Sequence, residues 1–194
     1  HLTGNVDGAQ LMQITGTSWI LHVIPAPSVT WIGLHFSYID FTERDNVMYV
    51  YPSGQTVDLF EFDHCNLEKR ARGSGPGFDS TFEGLVASTT AYDRILIHHN
   101  TITIRNGDAA ANRSLGPDLV KYTNGLSFYD NTVTMVTSVN GADNAAGQHQ
   151  DLFQTAGNYF KIYNNRFIGG TGQGFFYSGF GGPGGGPNGT LTGV

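Results

Sequence analysis

Alternating apolar and polar residues recur along the chain in five short stretches. In each stretch two apolar residues are separated by one position, and a third apolar residue follows five positions after the second. The alternation predicts a short strand with one buried face, whereas the five-residue step predicts a corner followed by a second strand. The first apolar residues of the five stretches are Leu34, Phe60, Ile95, Leu126 and Phe160.

A polar residue occupies the predicted corner in the later stretches. The corner residues, separated by 26 to 35 positions, are Ile39, Cys65, Asn100, Asn131 and Asn165. Spacings of this size are typical of stacked repeats. Strands stacked about 4.8 Å apart would bring the asparagines into an inward-facing ladder, because an amide both donates and accepts hydrogen bonds. The alternative, ordinary turns between hairpin strands, does not explain the spacing.

The residue just before each corner shows no common side-chain type. We expect these residues to occupy an unconstrained turn position. They are Tyr38, His64, His99, Asp130 and Asn164.

The repeat, apolar-x-apolar-x-x-Asn-x-apolar, resembles that of right-handed parallel β-helix proteins of the pectate-lyase-like superfamily. The resemblance covers residues 30–177. It implies an all-β fold, a right-handed parallel β-helix solenoid of about six coils in residues 1–180. Residues 181–194 are expected to form a Gly/Pro-rich loop and the start of a further coil. Because a solenoid needs caps and none is visible at either end, we expect a fragment of a longer protein, or copies that cap one another.

A further short strand is predicted in each repeat, and an acid starts it in four of them. The residues at this position are Asp45, Glu83, Asp118, Asp151 and finally Gln173. Two positions later we expect an inward apolar residue, followed by an outward one, because side chains alternate along a strand. The predicted inward column is Val47, Leu85, Val120, Phe153 and Phe175. The predicted outward column is Met48, Val86, Lys121, Gln154 and Phe176.

In the superfamily that the repeats resemble, acids at such strand starts are catalytic carboxylates in glycoside hydrolases or calcium ligands in lyases. The candidate catalytic carboxylates are Asp118 and Asp151, and Lys121 and His149 are the candidate bases for a lyase. If the two aspartates lie on neighbouring coils, their carboxyl groups would be about 5 to 8 Å apart, which spans the separations used in glycoside hydrolysis. A lyase would instead need a base and a cation, with Ca²⁺ held by Glu83 and the two aspartates. The expected substrate-binding residues are Gln154, Arg113, Tyr122 and Phe176.

Other polar residues have simpler interpretations. The acids at the strand starts also fit a structural role, in which they bond backbone N–H groups at turns and protect strand edges. The pairs Asp63-His64 and His98-His99 are expected at the surface or in turns, because consecutive side chains diverge. The single cysteine, Cys65, excludes an intrachain disulfide and is expected to be a packed, unreactive thiol.

Composition narrows the class of partner. The net charge of −6 and the pI near 5.5 disfavour nucleic acid and anionic membranes as partners. No apolar run reaches transmembrane length, so no membrane insertion is expected. Together with the resemblance, this predicts a secreted or cell-surface protein that acts on an acidic polysaccharide as a lyase or glycoside hydrolase. The alternative is a non-catalytic adhesin, tailspike-like or filament-forming protein that binds glycans and either associates end to end or continues into further coils of a longer chain.

Overall fold

A computed structural model of the protein describes residues 2–3, 12–15, 21–23, 29–44, 48–50, 55–70, 80–84, 91–105, 118–121, 123–136, 151–155, 159–169 and 174–177. Within these ranges every regular element is a β-strand. The search of the same ranges found no helix that is long and apolar enough to cross a membrane. The predicted all-β class is therefore confirmed for the part of the chain that the structure describes.

The strands form three sheets of six strands, here called A, B and C, and one sheet of two strands. Sheet A contains β1 (Leu2–Thr3), β5 (His35–Ser37), β9 (Phe60–Asp63), β12 (Ile95–His98), β15 (Leu126–Tyr129) and β18 (Lys161–Tyr163). Sheet B contains β2 (Met12–Thr15), β6 (Ile39–Arg44), β10 (Asn66–Arg70), β13 (Thr101–Arg105), β16 (Thr132–Val136) and β19 (Arg166–Gly169). Sheet C contains β3 (Leu21–Val23), β7 (Met48–Val50), β11 (Ser80–Glu83), β14 (Asp118–Lys121), β17 (Phe153–Thr155) and β20 (Phe175–Tyr177). The two-stranded sheet pairs β4 (Val29–Ile32) with β8 (Gln55–Asp58).

The chain visits sheets A, B and C in turn, so neighbouring strands within a sheet come from successive repeats. Every described pair of neighbouring strands is parallel, which a hairpin meander would not produce. This arrangement is consistent with a β-solenoid.

The registers of sheets A and B align the predicted apolar columns. In sheet A the aligned residues are Phe36, Phe62, Ile97, Phe128 and Ile162. In sheet B they are Phe41, Leu67, Ile102, Val133 and Phe167. The ring of Phe62 stacks on that of Phe41 with centroids 5.7 Å apart, and the ring of Phe128 meets that of Phe153 at 5.3 Å. The core therefore lies between the three sheets, where each sheet contributes one buried face.

The asparagine ladder at the corner between sheets A and B is present as predicted. The Oδ1 of Asn131 accepts hydrogen bonds from the backbone N–H and the Nδ2 of Asn100, both at 3.0 Å. Asn165 Oδ1 accepts the same two bonds from Asn131, and the Nδ2 of Asn131 also donates to the carbonyl of Ile97 at 2.9 Å. Each amide thereby satisfies buried backbone groups of the preceding repeat, which would otherwise be left without partners.

Cys65 takes the place of an asparagine at the start of this ladder. Its thiol lies 3.7 Å from the carbonyl oxygen of Phe36, the position that the asparagine amides of later repeats contact. The thiol also donates to the carbonyl of Asp63 at 3.1 Å. Burial raises the pKa of Cys65 to about 12, so the group is a neutral thiol at physiological pH. The expectation of a packed thiol agrees with its 1% exposure.

The residue before each ladder position is constrained, contrary to expectation. These residues, here called the left-handed column, have φ between 50° and 57° and are Tyr38, His64, His99, Asp130 and Asn164. One residue in this conformation turns the chain from sheet A into sheet B. L-residues enter this region at an energetic cost, which Asn, Asp and His tolerate better than most. The prediction of an unconstrained position was wrong because the shared property is a backbone angle, which different side chains can adopt.

The register of sheet C differs from the predicted one in the earlier repeats. Val120 pairs with Phe153 and Phe153 with Phe175, as expected. Phe82, however, pairs with Val120 and with Met48, and both Phe82 and Met48 are buried. The predicted inward residues Val47 and Leu85 lie outside the described residues. Met48 was predicted to face outward, and this was wrong. Val47 and Met48 are both apolar, so the sequence of so short a strand does not show which of them faces the core.

Candidate functional site

The two aspartates predicted as catalytic lie next to each other in successive repeats. Asp118 Oδ1 accepts a hydrogen bond of 2.9 Å from the backbone N–H of Asp151. Both residues are buried, with exposures of 4% and 0%. Asp118 precedes the core residue Val120 by two positions, so the two side chains share the inward side of sheet C. The Asp118 carboxyl group thus bonds a backbone N–H at this corner, as the asparagines do at the corner between sheets A and B.

Three other predicted site residues, Glu83, Lys121 and Gln154, lie on the opposite side of sheet C. The register aligns Glu83 with Lys121 and Lys121 with Gln154. Because Glu83 follows the core residue Phe82, strand alternation places its side chain on the opposite face of sheet C from that of Asp118, where it is also buried, with 5% exposure. Glu83 is therefore on the other face from the aspartates and about 10 Å along the strand direction from Asp118. These three acids do not fit one calcium ion, which needs six to eight oxygen ligands around one point.

Several predicted residues cannot be placed. Arg113, Tyr122 and His149 lie outside the described residues, and Phe176 is described only through its backbone, which pairs with Gln154. Their roles stay predictions.

A different group of titratable side chains converges on the outer face of sheet A. It is here called the histidine–carboxylate cluster and consists of His35, Glu61, Asp63, His64, His98 and His99. Strand alternation places Glu61 and Asp63 on the outward side, because Phe60 and Phe62 between them fill the core. Parallel pairing then sets His35 beside Glu61.

Asp63 is the centre of the cluster. Its Oδ1 lies 2.5 Å from His35 Nε2, and its Oδ2 lies 2.6 Å from His64 Nδ1. Ser37 Oγ donates a longer bond of 3.3 Å to Oδ2. Burial opposes ionisation of Asp63, but the hydrogen bonds from His64 and His35 outweigh it and hold the pKa below its ordinary value of 3.8. An ionised Asp63 therefore orients two imidazole rings.

Glu61 connects the other two histidines to the cluster. Its Oε1 lies 2.9 Å from His98 Nε2, and its Oε2 lies 3.6 Å from His35 Nε2. His98 Nδ1 and His99 Nδ1 are 2.8 Å apart, so one must carry a proton and the other must accept it. If His98 Nε2 donates to Glu61, a neutral His98 accepts at Nδ1 and His99 donates. Glu61, His98 and His99 thus form a continuous hydrogen-bonded chain that ends at the surface.

Ring stacking organises the same face. His64 stacks between Tyr38 and His99, with ring centroids 4.7 and 4.9 Å away and the planes within 12° of parallel. The side chains of His64 and His99 are 39% and 46% exposed. Because His64 Nδ1 is bonded to Asp63, its other ring nitrogen, which has no hydrogen-bond partner among the described residues, is the one that can act on a ligand from solvent. This is the arrangement of a general base that is oriented by a carboxylate.

Among the described residues, one set of three also converges closely enough to hold a metal ion. One ligand atom from each of His35, Glu61 and Asp63 lies within 4.8 Å of the other two. Two of these residues, His35 and Glu61, were not singled out from the sequence. The signal was present, since the 26 residues between His35 and Glu61 equal the spacing of the corner residues Ile39 and Cys65.

The expectation that consecutive residues diverge did not hold at Asp63-His64 and His98-His99. In each pair the second residue has a left-handed backbone, which brings its ring back beside the first side chain. The pairs do belong to the surface turn, as predicted, but there they form part of a connected polar site.

In comparisons with protein families, curated proteins and solved structures, no family model, protein or structure matches the chain.

Proposed function

We propose that the protein is a polysaccharide-active β-helix protein, secreted or displayed at the cell surface, that cleaves an acidic glycan. In this proposal the solenoid is the right-handed, roughly six-coil helix of the pectate-lyase-like superfamily. The observation that carries the proposal is the histidine–carboxylate cluster on the outer face of sheet A. There Asp63 orients His64, an imidazole that is 39% exposed. The cluster places acid–base groups on an outer face of the protein along which a polysaccharide chain could bind.

The geometry favours a lyase over a glycoside hydrolase. A hydrolase needs two carboxyl groups whose oxygens can reach the sugar or a water molecule. Here both oxygens of Asp63 and both of Glu61 face imidazole nitrogens, and the predicted pair Asp118 and Asp151 is buried. Imidazole bases, in contrast, suit removal of a proton beside a carboxylate.

In the proposed reaction, the free ring nitrogen of His64 removes the C5 proton of a uronate residue. The C5–H electron pair forms the C4–C5 double bond while the bond from C4 to its oxygen breaks. His99, whose Nε2 lies 3.7 Å from the carboxylate of Asp130, would donate a proton to the departing oxygen. The uronate charge also has to be neutralised, and this is what a calcium ion supplies in the superfamily that the repeats resemble.

Glycan contacts on the outer face of sheet C remain part of the proposal. Lys121 and Gln154 are aligned there in successive strands, and Phe176 follows in the register. They would bind the substrate away from the reacting bond, and Arg113 and Tyr122 stay predicted substrate-binding residues.

The test is a screen of uronic-acid and neutral polysaccharides that records both ultraviolet absorbance of unsaturated products and reducing ends. In His64→Asn, which keeps a residue that tolerates the left-handed backbone, unsaturated product should fall by about 100-fold or more. Asn164→Gly changes the same turn position outside the cluster and should retain activity. Unaltered turnover by His64→Asn, or new reducing ends without unsaturation, would overturn the lyase proposal.

A second candidate, a non-catalytic solenoid that binds glycans and associates end to end, is favoured by the apolar side chains at one edge. Phe167 and Ile168 of β19 and Phe175 of β20 are 36%, 38% and 42% exposed. Among the described strands, β19 and β20 are the outermost of sheets B and C, and parallel strand edges pair readily with another chain. A second copy or further coils of a longer chain would cover this edge.

Light scattering over a range of protein concentrations tests that candidate. Association that disappears in Phe175→Ser, together with glycan binding and no cleavage, would support it. A protein that stays monomeric at all concentrations would rule out self-association.

A further inference from the structure

We propose that His35, Glu61 and Asp63 form a binding site for a divalent first-row transition metal ion, for which Zn²⁺ is the suitable probe. The inference does not rest on the proposed function, because metal binding is measured without any glycan. It rests on the geometry of three ligand atoms, on the groups that hold the carboxylates, and on the donor set.

The three ligand atoms lie within 4.8 Å of one another, and one of their separations already matches that of a metal site. Zinc–ligand bonds of about 2.0 to 2.2 Å in a tetrahedral site put the ligand atoms about 3.3 to 3.6 Å apart. His35 Nε2 and Glu61 Oε2 are already 3.6 Å apart. His35 Nε2 and Asp63 Oδ1 are 2.5 Å apart, the length of a short hydrogen bond, and would need to separate by about 1 Å. This hydrogen bond keeps the two ligand atoms beside each other on the outer face of sheet A.

The remaining oxygen of each carboxylate has its own partners. Asp63 Oδ2 is bonded by His64 Nδ1 at 2.6 Å and Ser37 Oγ at 3.3 Å. Glu61 Oε1 is bonded by His98 Nε2 at 2.9 Å. Outer groups of this kind orient ligating carboxylates and usually influence metal affinity strongly. Each acid therefore presents one oxygen toward His35 while a second group fixes the other oxygen.

The donor set selects the class of metal. One imidazole nitrogen with two carboxylate oxygens suits zinc and its neighbours in the first transition row. Calcium and magnesium prefer a complete oxygen shell, which this site does not provide. The side chains of His35 and Glu61 are 26% and 34% exposed, so an ion can enter from solvent and water can complete its coordination.

The test is calorimetric titration of the chelator-treated full chain with Zn²⁺, Ca²⁺ and Mg²⁺. We expect saturation at one equivalent of Zn²⁺ and no competition from a large excess of the other two ions. Glu61→Gln and His35→Gln should each weaken Zn²⁺ binding by about 100-fold or more, since even outer-group changes cost about 10- to 100-fold. Substitution by Co²⁺ should give a visible absorption band that both variants lose.

The matched control is Glu68→Gln, the same chemical change in the same repeat, at a residue whose carboxylate is bound by Arg105 on sheet B. It should bind Zn²⁺ as the unmodified protein does. Circular dichroism of each variant establishes that it is folded, and the more exposed Glu61 keeps the test valid if His35→Gln fails to fold. No saturable Zn²⁺ binding, or equal binding by Glu61→Gln and Glu68→Gln, would overturn the proposal. Failure of Zn²⁺ binding would leave the lyase proposal standing, because that proposal is tested separately by the unsaturated product and the His64→Asn variant.

Discussion

Truncation of Asn131 to alanine tests whether the ladder stabilises the solenoid. The Asn131 side chain accepts two hydrogen bonds from Asn100 and donates one each to the carbonyl of Ile97 and to Asn165 Oδ1. After truncation, the Nδ2 of Asn100 keeps the carbonyl of Phe62, and Asn165 Oδ1 keeps the backbone N–H of Asn131. The backbone N–H of Asn100 and the carbonyl of Ile97 lose these bonds in the interior.

The expected loss follows mainly from the backbone N–H of Asn100, because Ile97 is paired on both sides within sheet A and its carbonyl also belongs to the ladder between strands. A buried donor left unsatisfied costs about 1 to 3 kcal/mol, so Asn131→Ala should lower the free energy of unfolding by about 1 to 3 kcal/mol. This is a large fraction of the roughly 5 to 15 kcal/mol that is usual for a domain. Asn165→Ala should cost less, because Asn165 is only partly buried and its bonds are more accessible to water.

Urea unfolding followed by circular dichroism measures the difference, provided that the dependence on urea concentration is the same for all variants. Asn164→Gly is the control, since Asn164 is exposed, lies outside the ladder and has a φ of 54° that glycine adopts freely. It should remain within about 0.5 kcal/mol of the unmodified protein. A loss below about 1 kcal/mol for Asn131→Ala, or one equal to that of Asn164→Gly, would refute the reasoning.

Three further predictions concern other parts of the fold. Cys65, with a pKa of about 12, should not react with a disulfide reagent at pH 8 until urea unfolds the chain, and rapid labelling of the folded protein would contradict this. Gly169→Ala should lower the free energy of unfolding in urea by more than about 2 kcal/mol, because φ is 78° and the new methyl group would overlap the carbonyl of Met135. An unchanged urea midpoint would contradict this close contact. Lys161 lowers the pKa of Asp93 below 3.8, so Asp93 adds stability above that pH and loses it as the pH falls through its folded value. Asp93→Asn should therefore unfold with a smaller loss of stability between pH 5 and pH 2, and an unchanged acid profile would exclude this contribution.

The parts of the fold that could be predicted from sequence are those where one side-chain property recurs at one position. The column from Phe36 to Ile162 and the ladder from Asn100 to Asn165 are of this kind, because stacking places equivalent residues in contact and strand alternation decides which face they take. A buried amide side chain needs hydrogen-bond partners, and the spacing of the repeats places the next asparagine within reach. The ladder could therefore be predicted from the sequence.

Sheet C could not be aligned in the same way. Its strands are short, and the apolar run around Met48 and the pair Phe82 and Leu85 each permit more than one frame. Only the hydrogen-bonded register showed that Phe82 faces the core and that Glu83 lies on the opposite face of the sheet, beside Lys121 and apart from Asp118. A one-residue change of frame moves every side chain to the other face, so a predicted group of acids depends entirely on it.

By itself, the amino-acid sequence determined that this chain is a stacked β protein with an amide ladder at one corner, because those features depend on residue type and spacing. Tertiary structure alone decided where the titratable groups meet. His35 reaches Asp63 across 28 residues, and Glu61 reaches His98 across 37, through parallel pairing of separate strands. The rings of His64 and His99 join them because a left-handed backbone angle turns each ring toward its neighbour, and many side-chain types can take that angle.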